Sequence, residues 1–339
     1  MVIFELEMLH ILLTKNALSV TKSKRVPIIY QIPSFIVETG SFKGIGLEEK
    51  AIFNLLHFLL KRINLSMLLQ QFQTQGYIVL PDFNTAQECD AIIDRAQELA
   101  VGFNYDGHPS IFQTSEQTRT SDDYFLNSGG NISFFFEKGA FDDSGNLKTD
   151  LFHSLNKIGH ALHDLDPVFN TFSRSPQMKK LAKDLRLDEY LLIQSMMIFK
   201  HARVGGEVDI HQDASFLYTE PRSCIGFWFA LEDATIENGC LWAKPGGHIT
   251  PLRSWFRKKE EGGTESFMLS AEPYTMEGMI PLEVKKGTCI VLDGLLPHYS
   301  LPNTSGKSRQ AYAIHTISSK AQYSDLNWLQ RDMSNVKGF

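Results

Sequence analysis

The chain has 339 residues and a formal net charge of −6, and its residues are 43% hydrophobic and 21% charged. This composition is ordinary for a soluble globular protein and argues against a disordered or collagen-like chain. The negative net charge gives no overall electrostatic footprint for nucleic acid, and no stretch has the length of a transmembrane helix.

Residues 1–65 are apolar in patches and carry mixed helix and strand signals, so we expect an N-terminal extension and assign it no function. Glu5 and Glu7 stand where a secretory signal carries basic residues. The last residues do not form a Ser-Lys-Leu peroxisomal address. The four cysteines show neither a CxxC spacing nor a disulfide framework, which predicts buried free thiols and a cytoplasmic protein.

Helical signals concentrate in the part of the chain before Tyr190. Thr85-Ala86-Gln87-Glu88 has the form of a capping box, and the segment after it has apolar residues at helical spacing. Residues 102–130 are polar and contain glycines, which predicts a loop over the site. Besides the helix that follows Thr85, the sequence predicts helices over 67–75, 154–165 and 176–185, and a strand over 77–80.

After Tyr190 the pattern changes to short apolar runs separated by turn signals, among them Lys244-Pro245-Gly246-Gly247. Helices first and many short strands after them predict an α+β, mainly β domain with helices packed on one sheet. A local basic run, Arg253, Arg257, Lys258 and Lys259, is interpreted as a solvated loop rather than a phosphate-binding patch. The predicted strands cover 191–200, 207–211, 224–231, 240–243, 288–292 and 310–317.

His211 and Asp213 form a His-x-Asp tripeptide in the strand predicted over 207–211 and its continuation. Residues i and i+2 of a strand project to the same side of the backbone. An imidazole nitrogen and a carboxylate oxygen are therefore offered to one point in space. With His298 as a third ligand from a distant strand, they complete the two-histidine, one-carboxylate set of non-haem iron(II) oxygenases. His-x-Asp by itself is common on protein surfaces, so the residues around it decide.

Arg309 follows His298 in the sequence, ahead of the strand run that starts near Gln310. If His298 closes one strand and Arg309 lies early in the next, the guanidinium can face the cavity that holds the metal. The planar fork of arginine pairs bidentately with a carboxylate, which is the clamp that a dicarboxylate cosubstrate such as 2-oxoglutarate needs. A solvated surface arginine is the alternative on spacing alone.

The run from Gly205 to Pro221, GGEVDIHQDASFLYTEP, resembles the phytanoyl-CoA dioxygenase family. The likeness extends from about Met67 to about Gln330 and includes the stretches 134–139, 156–163, 237–242 and 327–330. It implies a catalytic domain over 66–331 followed by a C-terminal tail over 332–339. The implied fold is a double-stranded β-helix, a cupin-like jelly roll whose open mouth holds iron.

The same resemblance implies contacts with 2-oxoglutarate at Lys138, Met196 and Trp228. From the local pattern alone, Met196 and Trp228 are typical of core residues, so both interpretations stay open. Ser300 lies on the same side of its strand as the third ligand and is a candidate partner of the distal carboxylate. Gln212 points away from the two ligands that flank it, and either a structural role or a hydrogen bond within the site fits that position.

Four further histidines, His160, His163, His248 and His315, lack a complete ligand pattern: no acidic partner completes the pair His160 and His163, and His248 and His315 have no companion at ligand spacing. His160 and His163 lie three positions apart on a predicted helix. We interpret all four as structural or surface residues.

These observations predict an iron(II)- and 2-oxoglutarate-dependent dioxygenase that oxidises a C–H bond of a small molecule while 2-oxoglutarate is decarboxylated to succinate. Molecular oxygen is the expected oxidant and ascorbate a candidate reductant. We expect a monomer with no membrane partner, and charge alone leaves nucleic acid as an open question. Two alternatives remain: a non-catalytic metal-binding cupin-like protein, and an acyl-CoA-type hydroxylase specific for a fatty acyl thioester.

Overall fold

Residues 65–105, 110–111 and 122–339 are described in the computed structural model of this chain. The chain divides into two compact units, residues 1–73 and 74–339. The extension predicted over 1–65 lies, except for its last residue, outside the described residues, and residues 65–73 are helical. Within the part of the chain that is described, no helix is long and apolar enough to cross a membrane.

The second unit consists mainly of strands, with its helices placed between β1 and β4. Its helices are α1 (Ala86–Val101), α2 (Asp123–Leu126), α3 (Leu162–Leu165), α4 (Pro167–Ser173) and α5 (Pro176–Asp184). Its strands are β1 (Tyr77–Leu80), β2 (Ile132–Phe136), β3 (Leu155–His160), β4 (Tyr190–Ile198), β5 (Val208–His211), β6 (Thr219–Glu220), β7 (Ile225–Ala230), β8 (Leu241–Ala243), β9 (Ser254–Lys258), β10 (Thr264–Met268), β11 (Ile280–Leu282), β12 (Cys289–Asp293), β13 (His298–Ser300), β14 (Ala311–Ser318) and β15 (Gln322–Tyr323).

Two antiparallel sheets form the frame of this unit. The larger sheet has the strand order β1-β12-β7-β14-β4-β3-β2, and the smaller has the order β11-β8-β13-β5. From β4 onward the chain passes back and forth between them: β4, β7, β12 and β14 belong to the larger sheet, and β5, β8, β11 and β13 to the smaller. Side chains from both sheets therefore line one cavity of about 420 Å³.

Apolar side chains of the two sheets pack together at one side of this cavity. Trp228 and Ile290 of the larger sheet belong to the same buried cluster as Leu241 and Leu282 of the smaller sheet. Full burial of one such side chain contributes about 1.5–3 kcal/mol, so this cluster holds the two sheets together.

A second buried cluster closes the other side of the cavity. It joins Phe125 of α2, Phe256 of β9 and Trp328 near the C-terminus. Phe125 and Trp328 stack with their ring centroids 4.2 Å apart. Segment 102–130, which the sequence predicts as a loop, thus contributes a helical turn to the cavity wall at α2.

Helix α1 begins as the sequence predicts. The backbone N–H of Glu88 donates to the Thr85 hydroxyl oxygen (3.2 Å), and the backbone N–H of Thr85 donates to the Glu88 carboxylate (2.7 Å). Two of the amide hydrogens that a helix leaves unpaired at its start are thereby satisfied. The helix predicted over 176–185 is confirmed as α5.

The helix predicted over 154–165 is wrong. Residues Leu155–His160 form β3, which pairs with β2 on one side and β4 on the other, and helix is confined to α3. Leu155, Ile158 and Leu162 recur at helical spacing, which explains the prediction. Pairing on both sides satisfies the backbone hydrogen bonds of this segment, and that tertiary gain outweighs its local pattern.

The six strands predicted after Tyr190 are confirmed as β4, β5, β7, β8, β12 and β14, with ends shifted by two residues at most. The basic run lies partly on the β9–β10 hairpin, which the sequence did not predict. All four cysteines are free thiols and buried, as predicted.

The C-terminal residues 332–339, predicted as a tail, pack against the rest of the second unit. Val336 is buried, and the ring of Phe339 lies 5.6 Å from that of Phe227. The backbone N–H of Leu192 donates to the carbonyl of Lys337 (2.9 Å).

Replacing Thr85 by alanine should lower the free energy of unfolding by about 1 kcal/mol, because the Glu88 N–H loses its acceptor at the helix start. Thr85→Ser keeps the hydroxyl and should stay close to the wild type. Urea denaturation of the three proteins measures this difference. An alanine variant as stable as the serine variant would show that the cap does not contribute.

Candidate metal centre

The three predicted ligands meet at the open edge of the smaller sheet. His211 ends β5 and His298 begins β13, and the two residues are register partners across the antiparallel pair. Asp213 starts a short 3₁₀ turn directly after β5. The Nε2 atoms of His211 and His298 each lie 3.6 Å from Oδ1 of Asp213. One ligand atom from each residue lies within 4.8 Å of the other two, so the three side chains form a candidate metal site.

Both histidines are oriented by the same local hydrogen bond. Nδ1 of His211 lies 2.8 Å from the carbonyl oxygen of Asp209, and Nδ1 of His298 lies 2.9 Å from that of Leu296. A carbonyl can only accept, so the ring proton sits on Nδ1. The lone pair of each Nε2 therefore points toward the carboxylate of Asp213, as metal-binding histidines require.

The ionisation of two of these three groups, His298 and Asp213, matches what a metal ion needs. Burial, together with the neighbouring His211, lowers the pKa of His298 to about 4. At His211 the effect of burial is outweighed by Asp213, and the pKa of that ring is raised. Although burial alone would raise the pKa of Asp213, His315 and His298 hold it well below its usual value. A neutral His298 and an ionised Asp213 are the ligand forms in which these groups bind metal.

His315 is a fourth histidine at this site, on β14 of the larger sheet. Its side chain is buried, and its Nε2 lies 3.3 Å from Oδ2 of Asp213, the carboxylate oxygen that the other two histidines do not face. Gly226 on the neighbouring strand makes room for this contact, because a Cβ there would lie 3.0 Å from the same oxygen. His315 thus lies against the carboxylate of Asp213. Of the two roles predicted for it, structural or surface, the surface role is wrong.

The donor set fits a divalent transition metal. Two imidazole nitrogens and one carboxylate oxygen on one face are the ligands of non-haem iron(II) sites, and no thiolate takes part. Metal–nitrogen bonds of about 2.1 Å place neighbouring ligand atoms about 3 Å apart. The two 3.6 Å separations from the carboxylate oxygen exceed this by about 0.6 Å, so the side chains would move inward on binding the metal.

Arg309 lies two residues before β14 and is 1% exposed, although it carries a charge. Its side chain lines the cavity, with the guanidinium carbon 5.5 Å from the ring centroid of Trp228. Its Nε and Nη1 have no hydrogen-bond partner among the described residues. Burial lowers its pKa to about 10, so the group remains charged at neutral pH. Such a charge is costly without a counter-ion, and an anion in the cavity would offset that cost.

Three further predicted residues reach the same cavity. Met196 of β4, Trp228 of β7 and Ser300 of β13 all line it, together with the metal-site residues and Arg309. The sequence predicts that His298 ends a strand and that Arg309 lies early in the next one. In the structure His298 begins its strand, β13.

Lys138 does not reach this cavity. It follows the end of β2, the edge strand of the larger sheet, and its side chain is exposed. Lys157 of β3, one strand further in, lines the cavity instead, with its Nζ 4.0 Å from Sδ of Met196. Burial lowers the pKa of Lys157 well below its usual value. The sequence signal for Lys157 is its place in the stretch 156–163, and the mistaken helix prediction there concealed its strand position.

Gln212 faces away from the cavity, and the structure does not bring it to the cosubstrate positions. Its buried amide oxygen accepts hydrogen bonds from the backbone N–H of Arg253 (3.0 Å) and the hydroxyl of Tyr274 (3.1 Å). Its amide nitrogen donates to the carbonyl of Leu295 (2.8 Å), close to His298 in sequence. Gln212 therefore holds together the segments around the metal ligands.

The remaining histidines of the predicted helix have structural partners. His160 lies on β3 with Nδ1 2.9 Å from the hydroxyl of Ser128. His163 lies on α3 with Nδ1 2.7 Å from the hydroxyl of Ser195. Both are fully buried, which agrees with a structural role.

Two solved structures with a similar backbone are described as non-haem enzymes that depend on alpha-ketoglutarate, another name for 2-oxoglutarate. The epimerase SnoN from nogalamycin biosynthesis, solved with Fe³⁺ and alpha-ketoglutarate, aligns with a TM-score of 0.55 at 15% identity, covering 81% of this chain and 92% of its own. The carbocyclase SnoK from the same biosynthesis aligns with a TM-score of 0.53 at 15% identity, covering 76% and 85%. At this identity the likeness shows a shared fold.

Sequence comparison identifies the family. The family described as phytanoyl-CoA dioxygenase matches residues 72–311. The chain is 46% identical over 264 residues to phytanoyl-CoA dioxygenase 1 of Oryza sativa subsp. japonica, covering 78% of this chain and 92% of that protein. It is 42% identical over 271 residues to phytanoyl-CoA dioxygenase domain-containing protein 1 of Mus musculus, covering 77% and 93%. The chain therefore belongs to the phytanoyl-CoA dioxygenase family.

Asp213→Ala should weaken Mn²⁺ binding at least about 100-fold, because it removes the anionic ligand between the two imidazoles. Glu207→Ala, which removes an exposed carboxylate from the segment before β5, is the matched control and should bind like the wild type. Isothermal titration calorimetry under exclusion of oxygen gives the affinities. Equal affinity in Asp213→Ala and the wild type would place the metal elsewhere.

His315→Ala should weaken Mn²⁺ binding about 10- to 100-fold, the usual effect of losing a group that orients a ligand. His153→Ala, at an exposed histidine outside the cavity, serves as the control. The same calorimetry decides the question, and unchanged affinity in His315→Ala would mean that Asp213 is oriented without it.

Proposed function

We propose that the protein is an iron(II)- and 2-oxoglutarate-dependent dioxygenase that oxidises a C–H bond of a small molecule. The observation that carries this proposal is the buried guanidinium of Arg309, unpartnered at Nε and Nη1, in the same cavity as the His211–Asp213–His298 cluster. Membership of the phytanoyl-CoA dioxygenase family supports it.

His211, Asp213 and His298 would hold the iron, and His315 would keep the carboxylate of Asp213 turned toward it. When bound, iron(II) couples the decarboxylation of 2-oxoglutarate to succinate and carbon dioxide with the oxygen-dependent oxidation of a substrate C–H bond. Affinity alone does not select iron(II) over later first-row metals, so iron as the metal in the cell is part of the proposal.

The other lining residues would bind and orient 2-oxoglutarate. Arg309 would pair with the carboxylate that is remote from the metal, through its two free N–H directions. The hydroxyl of Ser300 and the Nζ group of Lys157 add hydrogen-bond donors to the same region. Trp228 and Met196 would exclude water, and ion pairing is stronger in such a low-dielectric environment.

The fold fits this chemistry. We infer that the two four-strand sets, β12-β7-β14-β4 and β11-β8-β13-β5, form a double-stranded β-helix, because the chain alternates between them and both line the cavity. Ascorbate as reductant, a monomeric state and a cytoplasmic location are further parts of the proposal, and they rest on the sequence alone.

A metal-binding protein without catalytic activity is the main alternative. It needs the three ligands but has no use for a buried guanidinium that faces the metal cavity, so Arg309 favours the enzyme. No particular contact among the described residues favours specificity for a fatty acyl thioester.

With added iron(II) and ascorbate, the wild type should form succinate from 2-oxoglutarate even without a primary substrate. Arg309→Gln should raise the KM for 2-oxoglutarate about 10- to 100-fold, because a bidentate charged contact is lost. Arg257→Gln, on the β9–β10 hairpin, is the control and should leave KM unchanged. The assay follows succinate by mass spectrometry.

Two outcomes would contradict the proposal. Absence of any 2-oxoglutarate-dependent succinate from metal-loaded wild type would favour the non-catalytic alternative. An unchanged KM in Arg309→Gln would show that the cosubstrate binds elsewhere.

A further inference from the structure

The cavity contains a second buried arginine, Arg253, which neither the metal site nor the proposed cosubstrate site uses. We propose that Arg253 binds the oxyanion of the primary substrate, and that the substrate is an apolar organic molecule carrying a carboxylate or phosphate group. This inference rests on the proposed function, because it identifies the substrate class of the same cavity.

Arg253 is buried without a counter-ion among the described residues. The residue is 8% exposed, and its Nε has no hydrogen-bond partner among the described residues. Its Nη1 donates one long hydrogen bond, 3.3 Å, to the hydroxyl of Thr250. No carboxylate of the described residues forms an ion pair with it. A guanidinium left in this state can still recognise an oxyanion through several N–H groups.

Tyr274 and Gln212 hold Arg253 in place beside the segment that carries two of the metal ligands. Its guanidinium carbon lies 4.7 Å from the ring centroid of Tyr274, so it stacks on that ring. The Tyr274 hydroxyl and the backbone N–H of Arg253 both donate to the amide oxygen of Gln212. Gln212 stands between His211 and Asp213 in the chain. One buried amide thus ties the arginine and its aromatic support to the strand end that carries two of the ligands, as a preorganised binding site requires.

Arg253 and Arg309 are anchored on different elements of the cavity wall. Arg309 lies two residues before β14, the strand of the larger sheet that carries His315, and its guanidinium carbon lies 5.5 Å from the ring centroid of Trp228 on β7. The backbone of Arg253, in contrast, is hydrogen-bonded to the residue next to Asp213. The two guanidinium groups therefore approach the metal centre from different anchors and can serve two different anions.

The walls near Arg253 define the rest of the substrate. Phe216 lies 5.8 Å from the ring of His211 and 5.6 Å from that of Phe256, and both phenylalanines line the cavity. Met268 lines it too and is 62% exposed, so the cavity opens to solvent at the β9–β10 hairpin. Glu272 also lines this part, but it is exposed, and water screens its charge. An apolar body with one oxyanion fits these surroundings.

The basic run of the sequence thus divides into two kinds of residue. Arg257, Lys258 and Lys259 are partly exposed, in agreement with the solvated interpretation, whereas Arg253 is buried in the cavity wall. The proposed oxyanion site comprises Arg253 with its support Tyr274.

The test measures binding rather than turnover. Octanoate, octyl phosphate and neutral octanamide are titrated calorimetrically into the protein loaded with Mn²⁺ and 2-oxoglutarate. The wild type should bind at least one of the anions tenfold or more tighter than the amide, and whichever anion is preferred identifies the oxyanion. Arg253→Gln should lose this preference and Arg253→Lys should retain part of it. Arg257→Gln, on the neighbouring hairpin, should behave like the wild type.

Equal or absent binding of the three probes by the wild type overturns the inference, as does an undiminished anion preference in Arg253→Gln. Thermal unfolding of each variant identifies one that fails to fold, and in that case the comparison of Arg253→Lys with the wild type decides. Succinate formation by the wild type, measured separately, shows whether the proposed function stands when the substrate inference fails.

Discussion

The antiparallel pairing of β5 with β13 is the constraint on which the site depends. It sets His211 opposite His298, and the turn after β5 then brings Asp213 between their Nε2 atoms. A shift of the register by one residue would turn one imidazole to the other face of the sheet and dissolve the cluster. Gln212, which follows β5, stabilises this arrangement, because its buried amide is hydrogen-bonded to Leu295 just before β13 and to Arg253 just before β9.

Besides this metal cluster, the cavity contains buried charges that few oppositely charged groups of the protein offset. Asp213 is buried among three imidazoles, and Arg309 and Arg253 are buried without ion-pair partners among the described residues. Burying a single charge costs several kcal/mol, so a fold that keeps such groups does so for ligands that neutralise them. A metal cation, a dicarboxylate and a substrate oxyanion would together balance the charges of the cavity.

The sequence predicts the centre of this site well and its surroundings less well. His211, Asp213, His298 and Arg309 are recognisable because strand alternation and spacing constrain them along short stretches of chain. The contact between Asp213 and His315 joins the turn after β5, in the smaller sheet, to β14 of the larger sheet. No local sequence pattern reveals it. The mistaken helix over 154–165 had the same cause: β3 is stabilised by partners on both sides, β2 and β4, that are distant in sequence. Long-range pairing therefore determines that this segment is a strand, and it brings Lys157 on that strand to the cavity.

The most direct test of the central claim is a crystal structure of the protein with Mn²⁺ and 2-oxoglutarate, obtained without oxygen. The account predicts a metal ion bonded to Nε2 of His211, Nε2 of His298 and a carboxylate oxygen of Asp213, with the remote carboxylate of 2-oxoglutarate on Arg309. A metal ion bound at other residues, or 2-oxoglutarate bound away from Arg309, would contradict it.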